Sequence, residues 1–362
     1  MNPQTLLEVD SPALLVDIDR MRRNIQKMAR FAKECGVELR PHVKTHKVPA
    51  IARMQLEAGS KGICVQKVGE AEVFAGAGFE NVFITNEVVG RQKLVKLVEL
   101  AERNRISVAV DNEANVHEIS NQAKEAGAEI ALFVDVDVGM HRCGVRPESA
   151  PALANLISRS EGVSLGGIMG YEGHVGGAKN DAERDRLCRA STDSIALAKR
   201  EMVRSGISVE SVSMGSSVSV WTNAKNPDVT EVQPGMYVFN DGFLMSNKVA
   251  SPEECALTVL TTVMSTPAPD RAVVDAGSKA FQFDMGHYPS PLERKGLEMI
   301  KFSEEHGWLK VSAGAKTPAL GERLRFIPYH CCTCVNQHDW MFGFRGEKVE
   351  TVWRVEARGK MS

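Results

Sequence analysis

Two short stretches of this 362-residue sequence gather side chains that do chemistry. The first is Arg40-Pro41-His42-Val43-Lys44-Thr45-His46-Lys47. By composition alone it is a solvated basic turn. Lys44, however, directly follows a strand-like run at 37–43 and lies among Arg40, His42, His46 and Lys47. Neighbouring positive charge and partial burial lower an ammonium pKa, which is how a lysine becomes a nucleophile toward an aldehyde. The second stretch, PYHCCTCVNQHD at 328–339, puts three cysteines and two histidines within nine residues. Lone cysteines are more often buried hydrophobes than ligands, but this density points to a metal ion. Imidazole with thiolate suits zinc, whereas imidazole with carboxylate suits manganese or magnesium.

These residues need elements to position them. Nine β-branched or apolar runs (14–18, 37–43, 62–66, 82–85, 107–112, 131–137, 165–170, 211–217 and 230–235) alternate with amphipathic stretches such as 19–35, 91–104 and 181–206. In those stretches apolar residues recur at three- and four-residue spacing, as a helix burying one face requires. Repeated strand–helix units predict a parallel sheet with helices outside it. Polar groups follow the runs: Gln66-Lys67, Asn86-Glu87, Asp137 to Arg142, Tyr171-Glu172-Gly173-His174, Gly215-Ser216-Ser217 and Asn240-Asp241. In a (β/α)8 barrel those are the loops that carry function. Nine runs are one too many for such a barrel, so one must pair elsewhere. The alternative, a doubly wound open sheet, calls for a glycine-rich phosphate turn after an early strand, and none is present. From about residue 240 the texture changes. Segments such as 255–266, 271–277, 324–330, 339–344 and 347–359 alternate or run apolar between Gly/Pro turns, predicting a smaller antiparallel β-domain.

The totals exclude several classes. A formal net charge of -2 gives no global attraction to nucleic acid or an anionic membrane surface. The first twenty residues lack the positive segment and apolar run of a secretory signal. No apolar run approaches the roughly 20 residues that span a bilayer. Eight cysteines in that context are expected to be reduced thiols of a cytoplasmic protein.

RPHVKTHK, followed in order by GICVQKVGEAE, NEVVG, VDVDVGMHRCGV and TVMSTPAPDRAVVDAGSK, resembles the D-threonine aldolase and D-serine dehydratase family. These are fold-type III pyridoxal-phosphate enzymes related to the N-terminal half of alanine racemase, and the similarity runs from about residue 10 to the C-terminus. The resemblance implies a cofactor-binding (β/α)8 TIM-type barrel over 20–238. It also implies a β-domain, 1–19 plus 239–362, that takes the first strand and carries the metal site. The run at 14–18 then leaves the barrel, which keeps eight. By motif, Lys44 would carry pyridoxal 5'-phosphate as a Schiff base, and Arg142 would face its phenolic oxygen and favour the phenolate. Tyr171 would stand near the pyridine nitrogen. Gly215, Ser216 and Ser217 would bind phosphate through N–H groups and hydroxyls, and Gln66 and Tyr237 would line the cofactor wall. His330 and Cys332 match the family's metal pair, His-x-Asp in aldolases and His-x-Cys in dehydratases. The thiolate favours Zn²⁺ over Mn²⁺ or Mg²⁺, an ion that would bind the substrate's β-hydroxyl and carboxylate.

The implied activity is a metal-dependent lyase for a β-hydroxy D-amino acid. One reaction is retro-aldol cleavage of a D-threonine-like substrate to glycine and an aldehyde. The other is dehydration of a D-serine or D-3-hydroxyaspartate type of substrate to a keto acid and ammonia. Aldolases of the family read Tyr-His-Gly-Ser-x-x-His, where this chain has Tyr171-Glu172-Gly173-His174-Val175-Gly176-Gly177. Gly177 thus replaces a proposed base histidine, and His174 is the candidate substitute. VMSTPAPDRAVVDAG and VNQHD follow the aldolase branch, while the metal pair follows the dehydratases. A racemase would need a second acid/base opposite Lys44, for which Tyr288 and Tyr329 are the candidates. The His/Cys cluster argues against a non-catalytic cofactor carrier. Many relatives place a neighbouring chain's β-domain beside the site, so a homodimer is expected.

Overall fold

A computed structural model describes residues 3–362; residues 1 and 2, which begin the predicted 1–19 segment, lie outside the described residues. Strand β1 (Ala13–Asp17) leads into helix α1 (Ile18–Cys35), and a repeating strand–helix series follows. Its strands are β2 (Glu38–Leu39), β3 (Ile63–Val65), β4 (Asn81–Glu87), β5 (Arg105–Val110), β6 (Ile130–Asp135), β7 (Val163–Met169), β8 (Val212–Ser213) and β9 (Glu231–Val232). Helices α2 (Pro49–Glu57), α3 (Val68–Gly76), α4 (Arg91–Ala101), α5 (Glu113–Ala126), α6 (Ala150–Arg159), α7 (Asp181–Arg204) and α8 (Val220–Asn223) stand between them. All neighbours pair parallel in the order β2-β9-β8-β7-β6-β5-β4-β3. A parallel bridge between His42 and Cys64 joins the two ends of that order and closes the ring. This is the eight-stranded barrel expected from the pattern.

The barrel's filling explains its strand sequences. Cys64, Phe83, Ala109, Phe133 and Met169 form one buried cluster, with the Phe83 and Phe133 rings 4.4 Å apart. Beneath them lies a charged plug. Arg40 Nε donates to Glu231 Oε2 at 2.9 Å, the two side chains being 5% and 1% exposed. Arg40 also donates to Asn81 Oδ1 at 2.6 Å, and Ser213 Oγ donates to Glu231 Oε1 at 2.6 Å. A buried ion pair needs such extra hydrogen bonds to offset its desolvation. Arg40, expected among the cations around Lys44, is therefore engaged in the barrel core.

The remaining strands build a second sheet: β10 (Leu257–Ala268), β11 (Arg271–Val274), β12 (Ser290–Pro291), β13 (Leu297–Phe302), β14 (Gly307–Val311), β15 (Arg323–Ile327), β16 (Trp340–Arg345) and β17 (Lys348–Arg354). Its main path is β13-β14-β11-β10-β1-β16-β17, with β15 pairing β10 and β12. β1 joins this sheet, as the count of nine runs required. It lies antiparallel to β10 but parallel to β16, so the predicted antiparallel sheet is in fact mixed. A strand that enters from the far end of the chain is not tied to its neighbour by a hairpin and is free to take either direction.

The chain divides into two compact units. One comprises the chain up to Lys27, Thr45–Ala50 and Met236–Gly359; the other comprises Met28–Lys44, Ile51–Gly235 and Lys360–Ser362. Among the described residues no helix is long and apolar enough to cross a membrane.

Candidate active site

Lys44 lies in a single 3-10 turn, Val43–Thr45, a few residues beyond β2 at the C-terminal mouth of the barrel. Its orientation follows from a chain of hydrogen bonds through His42 and Gln66. His42 Nδ1 accepts from the Lys44 backbone N–H at 3.4 Å, so the ring proton sits on Nε2. From there it reaches Thr85 Oγ1 at 3.0 Å and Gln66 Oε1 at 3.2 Å. Gln66 Nε2 donates to the Thr85 carbonyl at 3.3 Å, which turns Oε1 toward Lys44 Nζ, 3.2 Å away. The Gln66 backbone is itself anchored by Glu70 Oε2 at 2.7 Å, on the first turn of α3.

A cleft of about 490 Å³, counting the solvent at its mouth, opens in front of this amine. His42, Lys44, Gln66, Arg142, Tyr171 and Gly215 line it, together with Glu87, Asp135, Cys143 and Gln233. Lys44 Nζ lies 5.7 Å and the Arg142 guanidinium 5.1 Å from the centre of the Tyr171 ring. That ring position depends on Gly173: a Cβ there would stand 2.4 Å from the Tyr171 ring.

One wall of the cleft is acidic. Burial, with Glu87 and Asp111 beside it, pushes the Asp135 carboxyl well above the usual range against the pull of Arg142. Burial and the Glu87 contact likewise push the Cys143 thiol up. Ligand atoms of Glu87, Asp111 and Cys143 lie within 4.8 Å of one another.

The loop after β8 offers backbone N–H groups, but one of its own neighbours already uses them. Gly215, at φ +109°, turns the chain so that the Ser216 amide donates to Glu172 Oε1 at 2.6 Å and its own amide reaches Oε2 at 3.4 Å. Ser219 Oγ also donates to this fully buried carboxylate. A carboxylate held this way marks the loop as an anion-binding concavity. Ser217 Oγ accepts from the Gly235 amide at 3.1 Å and so braces the loop against the turn after β9. Glu172→Ala removes the acceptor for two amides and a hydroxyl, and each unsatisfied buried donor costs about 1–3 kcal/mol. The thermal midpoint of Glu172→Ala is expected to fall clearly, that of Glu172→Gln less, because the amide keeps one acceptor oxygen.

The other unit carries the His/Cys cluster. His330 caps the short helix Cys331–Val335. Cys334 Sγ and His338 Nε2 both bond the Ala280 carbonyl, at 3.3 and 2.9 Å, and Cys331 is fully buried. Cys334 and His338 are thus engaged with the backbone of the preceding helix. His330 and Cys332 are different: the imidazole and the thiol are within hydrogen-bonding reach of one another. His330 Nδ1 is taken by Asp284 Oδ2 at 2.7 Å, so Nε2 is the atom that faces Cys332. Thr45 Oγ1 lies 3.3 Å from Cys332 Sγ. A hydrogen bond from Cys331, helped by His330, holds the Cys332 thiol well below the usual range against its burial. Burial opposes charge on His330, but the Cys332 thiolate and Asp284 outweigh it and push the imidazole up to about 11.

Comparison with known proteins gives this arrangement a context. Residues 16–241 match the family described as alanine racemase, N-terminal domain, and residues 256–344 match a putative serine dehydratase domain. The chain is 39% identical to a D-threonine aldolase from Arthrobacter sp over 357 residues, covering 98% of this chain and 94% of that one. The chain belongs to the D-threonine aldolase and D-serine dehydratase family. The crystal structure of a D-threonine aldolase from Filomicrobium marinum superposes with a TM-score of 0.96 at 36% identity, covering both chains fully. D-threo-3-hydroxyaspartate dehydratase from Delftia sp. HT23 gives 0.88 at 30% identity, covering 97% of this chain and 99% of that one. A cysteine-to-alanine variant of that dehydratase is described in a metal-free form.

Of the positions expected from this family's motifs, Lys44, Gln66, Arg142, Tyr171 and Gly215 come together in one cleft. Ser216 and Ser217 stand behind Gly215, with the Ser216 amide committed to Glu172. His174 is outside the lining: its Nε2 lies 3.2 Å from where a Cβ on Gly139 would stand, and its buried Nδ1 has no partner. Burial pushes this imidazole down, so it is neutral near pH 7. Tyr237 is buried in the turn Met236–Val238, within the unit that holds the His/Cys cluster. His46 and Lys47 also belong to that unit, where His46 packs edge-on to Phe239 and Lys47 Nζ reaches the Ala357 carbonyl. Sequence reasoning put Glu87 on a functional loop without giving it a role, and it missed Asp135 as a wall residue. Both end barrel strands, the position at which such barrels place function.

Proposed function

We propose that this protein is a pyridoxal-phosphate- and divalent-metal-dependent lyase that cleaves a D-threonine-like β-hydroxy amino acid to glycine and an aldehyde. The observation that carries the reading is the Lys44 amine held on Gln66 Oε1 in a barrel-mouth cleft that also contains Arg142 and Tyr171. The residues present fit the cofactor. Lys44 offers an amine for its aldehyde and Arg142 a cation for its phenolic oxygen, both on the lining of one cleft. Bound there, pyridoxal phosphate supplies an electron sink for charge developing on the substrate's carbon skeleton.

The chain's own residues do the rest. Gln66 and His42 fix the position of Nζ, which is also the group placed to move a proton at the substrate's α-carbon. The Tyr171 ring lies within cation–π reach of both cations and helps set their positions. Burial and the neighbouring Glu87 disfavour full charge on Asp135, which eases the approach of a substrate carboxylate to this wall. His330 Nε2 and Cys332 Sγ fit a borderline-soft ion, which we assign as Zn²⁺. Two protein ligands leave positions for the substrate's oxygens, and such an ion lowers a hydroxyl pKa. Eight free cysteines support a reducing, cytoplasmic setting.

Dehydration to a keto acid is the second reading, favoured by one residue, the thiolate of Cys332 in the place where family aldolases carry a carboxylate. Incubation of the metal- and cofactor-loaded protein with D-threonine, D-serine and D-threo-3-hydroxyaspartate separates the two. Glycine plus an aldehyde is the expected product. A keto acid plus ammonia would transfer the assignment to dehydration, and appearance of the L-enantiomer alone would overturn both.

A further inference from the structure

We infer that Asp284 is a positioning residue for metal binding: its carboxylate locks the His330 imidazole in the tautomer and rotation that present Nε2, together with Cys332 Sγ, to one ion. This inference rests on the reading of His330 and Cys332 as the metal pair. Asp284 stands 46 residues before His330, in the segment after the short helix Ser278–Phe281, and nothing in the motif marks it. Its Oδ2 accepts from His330 Nδ1 at 2.7 Å, and its Oδ1 accepts from Thr333 Oγ1 at 2.9 Å. Thr333 sits one helical turn beyond His330 and lies 3.3 Å from the same Nδ1. The carboxylate is thus held at both oxygens, one by the imidazole and one by the helix that carries Cys332. An imidazole whose Nδ1 proton is committed in this way can offer only Nε2 to an ion, and the carboxylate raises its basicity as a ligand.

The second ligand is steadied in the same manner. Thr45 Oγ1 lies 3.3 Å from Cys332 Sγ and can donate to the thiolate, so each ligand atom has a polar side chain of its own behind it. An Asp284–His330 ion pair serving only the fold would stabilise the protein without regard to metal. The two roles separate in a titration of the ion itself.

Chelator-treated full-length protein is titrated with Zn²⁺ against a chromophoric competitor. A parallel titration with Co²⁺ reads thiolate coordination from its charge-transfer absorption. Wild type is expected to bind one equivalent and His330→Ala to lose that site. Asp284→Ala is expected to weaken Zn²⁺ about 10–100-fold, with Asp284→Asn recovering much of the loss because its amide oxygen still accepts from Nδ1. If His330→Ala binds like wild type, the metal reading falls and this inference falls with it. If His330→Ala loses the ion while Asp284→Ala binds like wild type, the inference alone is overturned. Should Asp284→Ala not fold, Thr333→Val, which frees one carboxylate oxygen, is expected to give a smaller weakening in the same titration. An unchanged Thr333→Val together with an unchanged Asp284→Asn would then overturn the inference.

Discussion

Lys44→Ala is expected to abolish both turnover and the near-visible absorption of bound cofactor while leaving the barrel folded. Truncation removes one of two hydrogen bonds to Gln66 Oε1; the other, from His42 Nε2, remains, and Gln66 Nε2 keeps the Thr85 carbonyl. The wall of the cleft should therefore survive the loss of the amine. What disappears is the covalent attachment point and the proton carrier at the α-carbon. Loss of proton transfer alone is worth about 10²–10⁴-fold, and loss of attachment adds to it. Absorbance spectroscopy of the reconstituted variant, with borohydride reduction and mass analysis, checks this. A variant that still shows a reducible lysine-linked cofactor would remove Lys44 from its role and move the search to another amine.

Metal removal carries the second large effect. Thorough chelation, or His330→Ala, is expected to lower turnover on the order of a hundredfold or more, since a bound Lewis acid supplies several kcal/mol of charge stabilisation. The Lys44-linked absorption should stay, because His330 and Cys332 belong to a different compact unit from Lys44, Gln66 and Arg142. Activity and absorbance measured on the same chelated sample decide the matter, and restoring Zn²⁺ should restore turnover. Full activity in metal-free protein would show that the His330–Cys332 pair is only an internal ion pair.

Much of this was legible in the residues, and the exceptions have physical causes. The surplus ninth strand could be found by counting, because Leu14, Leu15 and Val16 are too apolar to be anything but buried, and all three are. Strand β13 was hard to see because a register shift between Met299 and Lys301 breaks its period of two and leaves Ile300 in solvent. In the basic turn, charge was readable but destination was not. Arg40 points into the barrel toward Glu231, a partner 191 residues away that no local pattern announces. Asp135 was passed over as an ordinary strand residue, since only the closure of the barrel sets it against Glu87 and Asp111. Glu172 was visible in the loop after β7, but its purpose depends on the Gly215–Ser219 turn coming back to meet it.

The barrel wall is not equally stitched around its circumference. β6 and β7 share six registered pairs, whereas β2 and β9 share two and β8 and β9 one. Segments with few backbone hydrogen bonds are where a fold opens first. The cleft draws His42 and Lys44 from just beyond β2, Met214 and Gly215 from beyond β8, and Gln233 from beyond β9. A molecule seated there would touch residues that follow all three of these strands, on both sides of the quarter with the shortest ladders. Filling the cleft would therefore add contacts where the wall has fewest, and a molecule that binds only the folded state stabilises it.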